Sequence, residues 1–305
     1  MTATPSLADP ESFFSTEPWT LGVIGLGYVG LPLLVTGAQR GLQVVGFDVS
    51  EARVADLVAG RSPVEDVPDE ALEKAVADGA VMTTDRDQLR DADAIMICVP
   101  SPLGRNRQPD LSFIESAADT IRRVARPGQL IVLESTTYPG TTEDFILPAV
   151  AAAGLTLDRD VWVAFSPERV SPGDPMKTGD IPKIVGGVTP LSTAVATAAY
   201  RRIVPSVHPV SSSRAAEMAK LLENTYRAVN IALVNEMAQL AAVLEIDIWE
   251  VIEAAATKPF GFQPFWPGPG VGGHCIPLDP QYLAWRAREA KFATRFIDLA
   301  EQVNT

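Results

Sequence analysis

Leu21-Gly22-Val23-Ile24-Gly25-Leu26-Gly27-Tyr28-Val29-Gly30-Leu31-Pro32 decides the fold. A short apolar run meets three glycines at G-x-G-x-x-G spacing, and a helical pattern follows. The pattern predicts a strand over 21–25 and a helix over 29–40, then a strand over 43–48 and a helix over 51–59. In that context Gly25 makes the tight turn. Gly27 lets backbone approach a pyrophosphate, and Gly30 lets the helix pack close to the strand. The helix N-terminus supplies N–H donors to the phosphates. Asp48, at the end of the second strand, can accept from both ribose hydroxyls and would repel a 2′-phosphate, which favours NAD over NADP. The expected cofactor-binding set here is Gly25, Gly27, Tyr28, Val29, Gly30 and Asp48, with Arg53 in the following helix. Glycines used only for packing are the alternative.

Outward from this unit, apolar runs at 94–99, 129–134, 161–165 and 183–185 read as further strands. Strand–helix alternation predicts an α/β fold, a Rossmann-like doubly wound parallel sheet over 21–210. Ligands of such sheets lie beyond the carboxyl ends of the strands. The loops there carry Ser135, Thr136 and Thr137, expected to line the nicotinamide pocket, and Pro100, for which the pocket and an ordinary turn are both open. After 210 the pattern changes. Ser211 to Ser213 can cap a helix running to about 244, with Ala215, Met218, Leu222, Tyr226, Val229, Leu233, Met237, Leu240 and Leu244 on one apolar stripe. The expectation is a helical domain over 211–305 built on this long helix. The polar, acidic segment 1–20 reads as a flexible tail.

Composition narrows the function. The chain has 305 residues, and its net charge of −13 argues against nucleic acid as a partner. The N-terminus has neither the basic nor the apolar region of a signal peptide, and no run is apolar enough to span a membrane. A cytoplasmic location is the default. The two cysteines, Cys98 and Cys275, form no disulfide framework and no zinc spacing, so no metal is expected. Cys98 lies in an apolar run and reads as a buried hydrophobe.

Cys275 is different. It sits in Pro267-Gly268-Pro269-Gly270-Val271-Gly272-Gly273-His274-Cys275-Ile276-Pro277-Leu278-Asp279-Pro280. Asp279-Pro280 reads as an N-cap and first helical residue, which puts the thiol just ahead of a helix start, where a thiolate is favoured. Such a thiol suits a covalent intermediate; a buried structural cysteine is the alternative. His274 is treated as positional, because adjacent side chains rarely reach the geometry of a dyad.

Several ordered segments together resemble the UDP-glucose/GDP-mannose (nucleotide-sugar) 6-dehydrogenase family. They are the glycine stretch, Val99-Pro100-Ser101-Pro102, Glu134-Ser135-Thr136, Ser166-Pro167-Glu168-Arg169, Ala219-Lys220-Leu221-Leu222-Glu223-Asn224 and the Cys275 loop. The resemblance implies oxidation of a sugar C6 alcohol to a carboxylate with two NAD, through a thiohemiacetal and a thioester on Cys275. It implies that Lys220 and Asn224 stabilise the oxyanion, that Asp279 holds a water or pairs with Lys220, and that Glu168 is the base for thioester hydrolysis. Each has a plainer reading: Lys220 paired with Glu217 or Glu223, Asn224 in an interhelical hydrogen bond, Asp279 as a cap, Glu168 bridged to Arg169. Some UDP-glucose members carry a second glutamate where this chain has Pro172. That departure, with Phe265 to Gly270, points to the UDP-N-acetylhexosamine branch. The expected substrate is UDP-N-acetylglucosamine, then UDP-N-acetylmannosamine, then UDP-glucose. The resemblance also implies a third, nucleotide-sugar-binding domain beyond residue 305, which this sequence lacks, so a non-catalytic NAD-binding and dimerisation fragment is the competing reading. A two-electron hydroxyacid dehydrogenase on a similar plan is a third. A homodimer through the helix 211–244 is expected.

Overall fold

The computed structural model describes residues 7–104, 108–169, 181–273 and 275–305. They form two compact units. One runs up to Ser101 and resumes at Asp110–Met218; the other joins Pro102–Pro109 to Ala219–Thr305.

The first unit contains, in chain order, α1 (Pro10–Thr16), β1 (Thr20–Ile24), α2 (Gly30–Gln39), β2 (Gln43–Phe47), α3 (Glu51–Val58), α4 (Asp69–Ala77), β3 (Val81–Thr83), β4 (Ala94–Ile97), α5 (Ser112–Val124), β5 (Gln129–Leu133), α6 (Leu147–Ala152), β6 (Val161–Phe165), β7 (Lys183–Gly187), α7 (Pro190–Arg201) and β8 (Val207–Val210). The eight strands form one sheet in the order β3-β2-β1-β4-β5-β6-β7-β8. β1, β4, β5 and β6 are buried along their whole length, as strands with both faces covered must be. Chain order reverses between β1 and β4, so the glycine loop leaving β1 opens at the switch point of the sheet. The sheet is not wholly parallel, however. β7 runs antiparallel to β6, and β8 runs parallel to β7. Apolar content marks β7 as buried but says nothing of the direction in which it enters the sheet.

The N-terminal expectation is corrected. Within 7–20 the chain is not a loose tail, because α1 forms there; residues 1–6 lie outside the described residues. The Asp9 side chain accepts from Ser12 N at 3.1 Å and Pro10 opens the helix, a normal cap. Phe13, Phe14 and Trp19 are buried, and the Phe14 ring meets Trp162 edge-on at 6.5 Å. Three aromatics hold the segment down through contacts far away in sequence.

The long helix α8 (Ser213–Val243) begins in the first unit and continues in the second, which adds α9 (Ile248–Ala256), α10 (Cys275–Glu289) and α11 (Arg295–Asn304). At about 1.5 Å per residue α8 spans about 45 Å. Ser212 Oγ accepts from Ala215 N at its start. Its buried positions include Ala228, Ala232 and Ala241, small residues that let neighbours approach, whereas much of the apolar stripe read from the sequence, Leu222, Tyr226, Leu233 and Leu240, is exposed. The Gly/Pro loop before α10 is tied to α8 by Gly268 N donating to Asn235 Oδ1 at 2.9 Å. Gly273 has φ +78°, a conformation open to glycine and costly for other residues.

The start of α10 is a second correction. The helix begins at Cys275, and Pro280 lies inside it. Pro277 falls in the first turn, where no N–H is needed, and Pro280 forgoes one hydrogen bond. Asp279 is therefore not a cap; its side chain is buried against α8.

Candidate functional site

The first unit assembles the expected cofactor groups. Gly25 has φ +91°, and a Cβ there would lie 2.7 Å from Cys98 O. A Cβ at Gly30 would lie 1.9 Å from Gly25 O, so this close approach of helix to strand excludes any side chain. A Cβ on Gly27 would meet no protein atom within 4 Å, so backbone faces open space where a pyrophosphate fits. Asp48 is 5% exposed. Its Oδ2 accepts from Leu26 N at 2.9 Å and Arg53 Nη1 at 3.1 Å, and its Oδ1 accepts from Ser50 N at 2.9 Å. Three of roughly four acceptor sites are filled by groups that pin the carboxylate, which leaves Oδ1 capacity for a ribose hydroxyl. Arg53 is half-exposed beside it, Tyr28 is exposed and Val29 half-buried. The residues present fit NAD.

At the next strand ends Ser135 Oγ donates to Val99 O at 2.8 Å, which ties the Ser135 loop to the exposed Pro100 loop. Thr136 is half-buried. Thr137 is buried, and its hydroxyl has no hydrogen-bond partner among the described residues.

Behind these loops lies a buried ionic network that the sequence does not announce. Lys183 Nζ, 4% exposed, donates to Glu134 Oε2 at 2.8 Å and to Glu168 Oε2 at 3.0 Å. Tyr200 Oη donates to Glu134 Oε1 in a short hydrogen bond. Burial pulls the Lys183 pKa down, but the two carboxylates outweigh it and hold the ammonium above its ordinary value. Burial raises Glu134, with Lys183 opposing, and burial together with Glu134 raises Tyr200 and Cys98. Glu168 thus belongs to the first unit and its Oε2 is held by Lys183; its Oε1 accepts from Arg169 N at 2.8 Å.

The second unit brings together Lys220, Asn224, Cys275 and Asp279. Lys220 and Asn224 stand one turn apart on α8, and Cys275 and Asp279 one turn apart on α10, so each pair shares a face. Asn224 Nδ2 donates to Asp279 Oδ2 in a short hydrogen bond, and both residues are buried. Asp279 thus pairs with Asn224. Lys220 is half-buried and makes no hydrogen bond or ion pair among the described residues. Glu217 does not hold it, because its carboxylate turns to Gly140 N and Thr142. Arg227 joins the cluster, with Nη2 donating to Asn224 Oδ1. The sequence expectations omit it, although its three-residue step from Asn224 continues the same helix face.

The expected thiolate is corrected as well. Although Cys275 opens a helix, burial pushes its thiol above the ordinary value. Lys220 and then Arg227 pull it back, and Asp279 opposes them. His274 lies outside the described residues. Among the described residues no His, Cys, Asp and Glu side chains group to hold a metal ion, and no helix is long and apolar enough to cross a membrane.

Comparison with known proteins places these two units. Residues 19–204 match the NAD binding domain of the UDP-glucose/GDP-mannose dehydrogenase family, and residues 214–305 match its central domain. Protein CapL of Staphylococcus aureus is 39% identical over 287 residues, 93% of this chain and 66% of that protein. The UDP-N-acetyl-D-glucosamine 6-dehydrogenase of Pseudomonas aeruginosa is 38% identical, over 93% of this chain and 67% of its own length. The solved structure of a UDP-D-ManNAc dehydrogenase from Pyrococcus horikoshii superposes with a TM-score of 0.87 at 37% identity, covering 93% of this chain and 68% of that one. The chain thus spans about two thirds of the length of the curated relatives it matches. With both domain models matched in order, the chain belongs to the UDP-glucose/GDP-mannose dehydrogenase family.

Proposed function

We propose that this chain carries the NAD-dependent, four-electron oxidation of the C6 hydroxyl of a UDP-sugar to the uronate, with Cys275 as nucleophile. The observation that carries this reading is the Cys275 cluster: a thiol at the head of α10, the Lys220 ammonium, which has no ion-pair partner among the described residues, and Asn224 hydrogen-bonded to Asp279. Gly25, Gly27, Gly30 and Asp48 would hold NAD, which would supply the hydride acceptor for both oxidations at C6. Between them the Cys275 sulfur adds to the aldehyde carbon, and the new oxyanion is met by Lys220 and Asn224. The second oxidation leaves a thioester. Water then adds to its carbonyl, Glu168 takes the proton, the C–S bond breaks and the sulfur leaves as thiolate.

UDP-N-acetylglucosamine is the first choice of substrate, ahead of UDP-N-acetylmannosamine and UDP-glucose. The replacement of a second glutamate by Pro172 supports a UDP-N-acetylhexosamine ahead of UDP-glucose, and relatives named for N-acetylglucosamine and for N-acetylmannosamine keep both sugars in the test. The exposed apolar residues along α8 and α9, among them Leu222, Leu233, Val243 and Trp249, support a homodimer through the long helix, which sedimentation equilibrium tests. A cytoplasmic enzyme is the accompanying reading.

Incubating the chain with NAD and each UDP-sugar, and counting NADH per uronate, tests the reaction. Two NADH per product are expected, with turnover down on the order of 10³-fold or more in Cys275→Ser. One NADH per product, with Cys275→Ser active, would show a two-electron enzyme. The two-thirds coverage of the relatives favours a second reading, an NAD-binding and dimerisation fragment. A dimer that binds NAD and turns over none of the sugars would establish it.

A further inference from the structure

Lys220, Asn224 and Arg227 follow one another on α8 at steps of four and three, so all three project from one helix face. Arg227 donates to the Asn224 carbonyl oxygen, and the Asn224 amide nitrogen donates to Asp279. A guanidinium can only donate and a carboxylate can only accept, so these two neighbours fix which way round the amide sits. Its NH2 end faces α10, where Asp279 stands one turn beyond Cys275.

Charge gives Arg227 a second part to play. Lys220 and Asp279 nearly cancel, so without Arg227 the cluster would be neutral while the sulfur is protonated and negative once it ionises. With Arg227 it is positive before ionisation and neutral after. A half-buried site penalises net charge, so the arginine moves that penalty from the thiolate to the thiol.

We propose that Arg227 is a positioning residue of the Cys275 cluster: it orients the Asn224 amide with its donors toward α10 and, with Lys220, presents the positive charge that makes the sulfur a nucleophile. The inference rests on Cys275 being the reactive thiol, as the proposed function holds. It requires no sugar substrate to be tested.

The test is the rate of Cys275 alkylation by iodoacetamide from pH 7 to 10, measured on the intact chain. Cys98 is 6% exposed, so labelling of the folded protein reports Cys275, with Cys275→Ser as the background. Arg227→Gln keeps a donor but removes the charge. It should slow alkylation about three- to tenfold below the midpoint and move the midpoint up. Arg227→Lys should stay within about twofold of wild type. The Asn224 side-chain NH2 resonances, assigned by their loss in Asn224→Leu, should exchange faster with solvent in Arg227→Gln. An unchanged midpoint in folded Arg227→Gln overturns the proposal. So does a midpoint in Arg227→Lys shifted as far as that in Arg227→Gln, since lysine keeps the charge. A wild-type Cys275 that resists alkylation at every pH removes the nucleophile reading and this inference with it. The expected alkylation pattern without UDP-sugar turnover counts against the proposed substrate and leaves the role of Arg227 standing.

Discussion

Lys183 and Lys220 are both drawn out of water, but their surroundings differ in kind. Lys183 is wholly buried and donates to two carboxylates, one of them braced from behind by Tyr200. Lys220 is half-buried and, among the described residues, has no partner, with a thiol, an amide and a carboxylate gathered in its cluster. The Lys183 ammonium is already compensated by two carboxylates, so its charge is spent on them. An ammonium left without a counter-ion keeps its donors for charge that appears during the reaction. The difference teaches where to look for chemistry: the cation that is not satisfied in the resting protein matters more than the one that is most buried.

The largest test of this contrast is removal of the clamped lysine. Lys183→Met strands Glu134 and leaves Glu168 without its buried cation, and should cost about 3–5 kcal/mol in denaturant unfolding. Adding Glu134→Gln should recover part of the loss, because one uncompensated charge goes with it. A Lys183→Met protein as stable as wild type would show that the network is solvated after all.

A buried carboxylate that makes no ion pair among the described residues sharpens the comparison. Glu217 is 1% exposed and accepts from Gly140 N, Thr142 N and Thr142 Oγ1, yet burial outweighs these bonds and lifts its pKa to about 7. With the folded pKa raised, the folded protein binds the proton more tightly than the unfolded chain does. Its contribution is therefore complete below the usual carboxylate range and is lost as pH rises through about 7. Unfolding free energy should fall by up to about 3 kcal/mol between pH 5 and pH 8 on this account. Glu217→Gln should flatten the profile, and a profile unchanged by the substitution would remove Glu217 as its cause.

Asp48 is a third kind of buried carboxylate, pinned by two backbone N–H groups and Arg53. Asp48→Ala should weaken NAD binding by about 1–3 kcal/mol in calorimetry, from loss of a charged hydrogen-bond partner. The smallest effect on stability belongs to the open lysine. Lys220→Met should change unfolding by no more than about 0.5 kcal/mol, while Cys275 alkylation at neutral pH slows severalfold. A large loss of stability in Lys220→Met would mean that this lysine is as structural as Lys183.

What the sequence made legible was local. The strand, glycine turn and helix that begin the sheet were legible because they and the strand ending at Asp48 lie within 30 residues and each constrains the next. The Lys220–Asn224 face followed from helical spacing, and Arg227 could have been found by carrying the same spacing three residues further. What stayed hidden depends on partners remote in sequence. Phe14 and Trp19 look like tail residues until Trp162 is placed against Phe14. Lys183 and Glu134 are 49 residues apart and meet only because β7 enters the sheet antiparallel to β6. Asp279-Pro280 imitates a helix start, but the helix begins five residues earlier, at Cys275, and Asp279 engages Asn224 on another helix.

The central claim concerns one sulfur, and the most direct measurement is the mass of the enzyme caught while turning over. The chain should be mixed with saturating NAD and UDP-N-acetylglucosamine, quenched in acid during NADH release, and digested for peptide mass analysis. The account predicts a uronyl thioester on the Cys275 peptide, more abundant in Glu168→Gln and absent from Cys275→Ser. NADH production with no sugar-derived adduct on Cys275 in wild type or Glu168→Gln would contradict it.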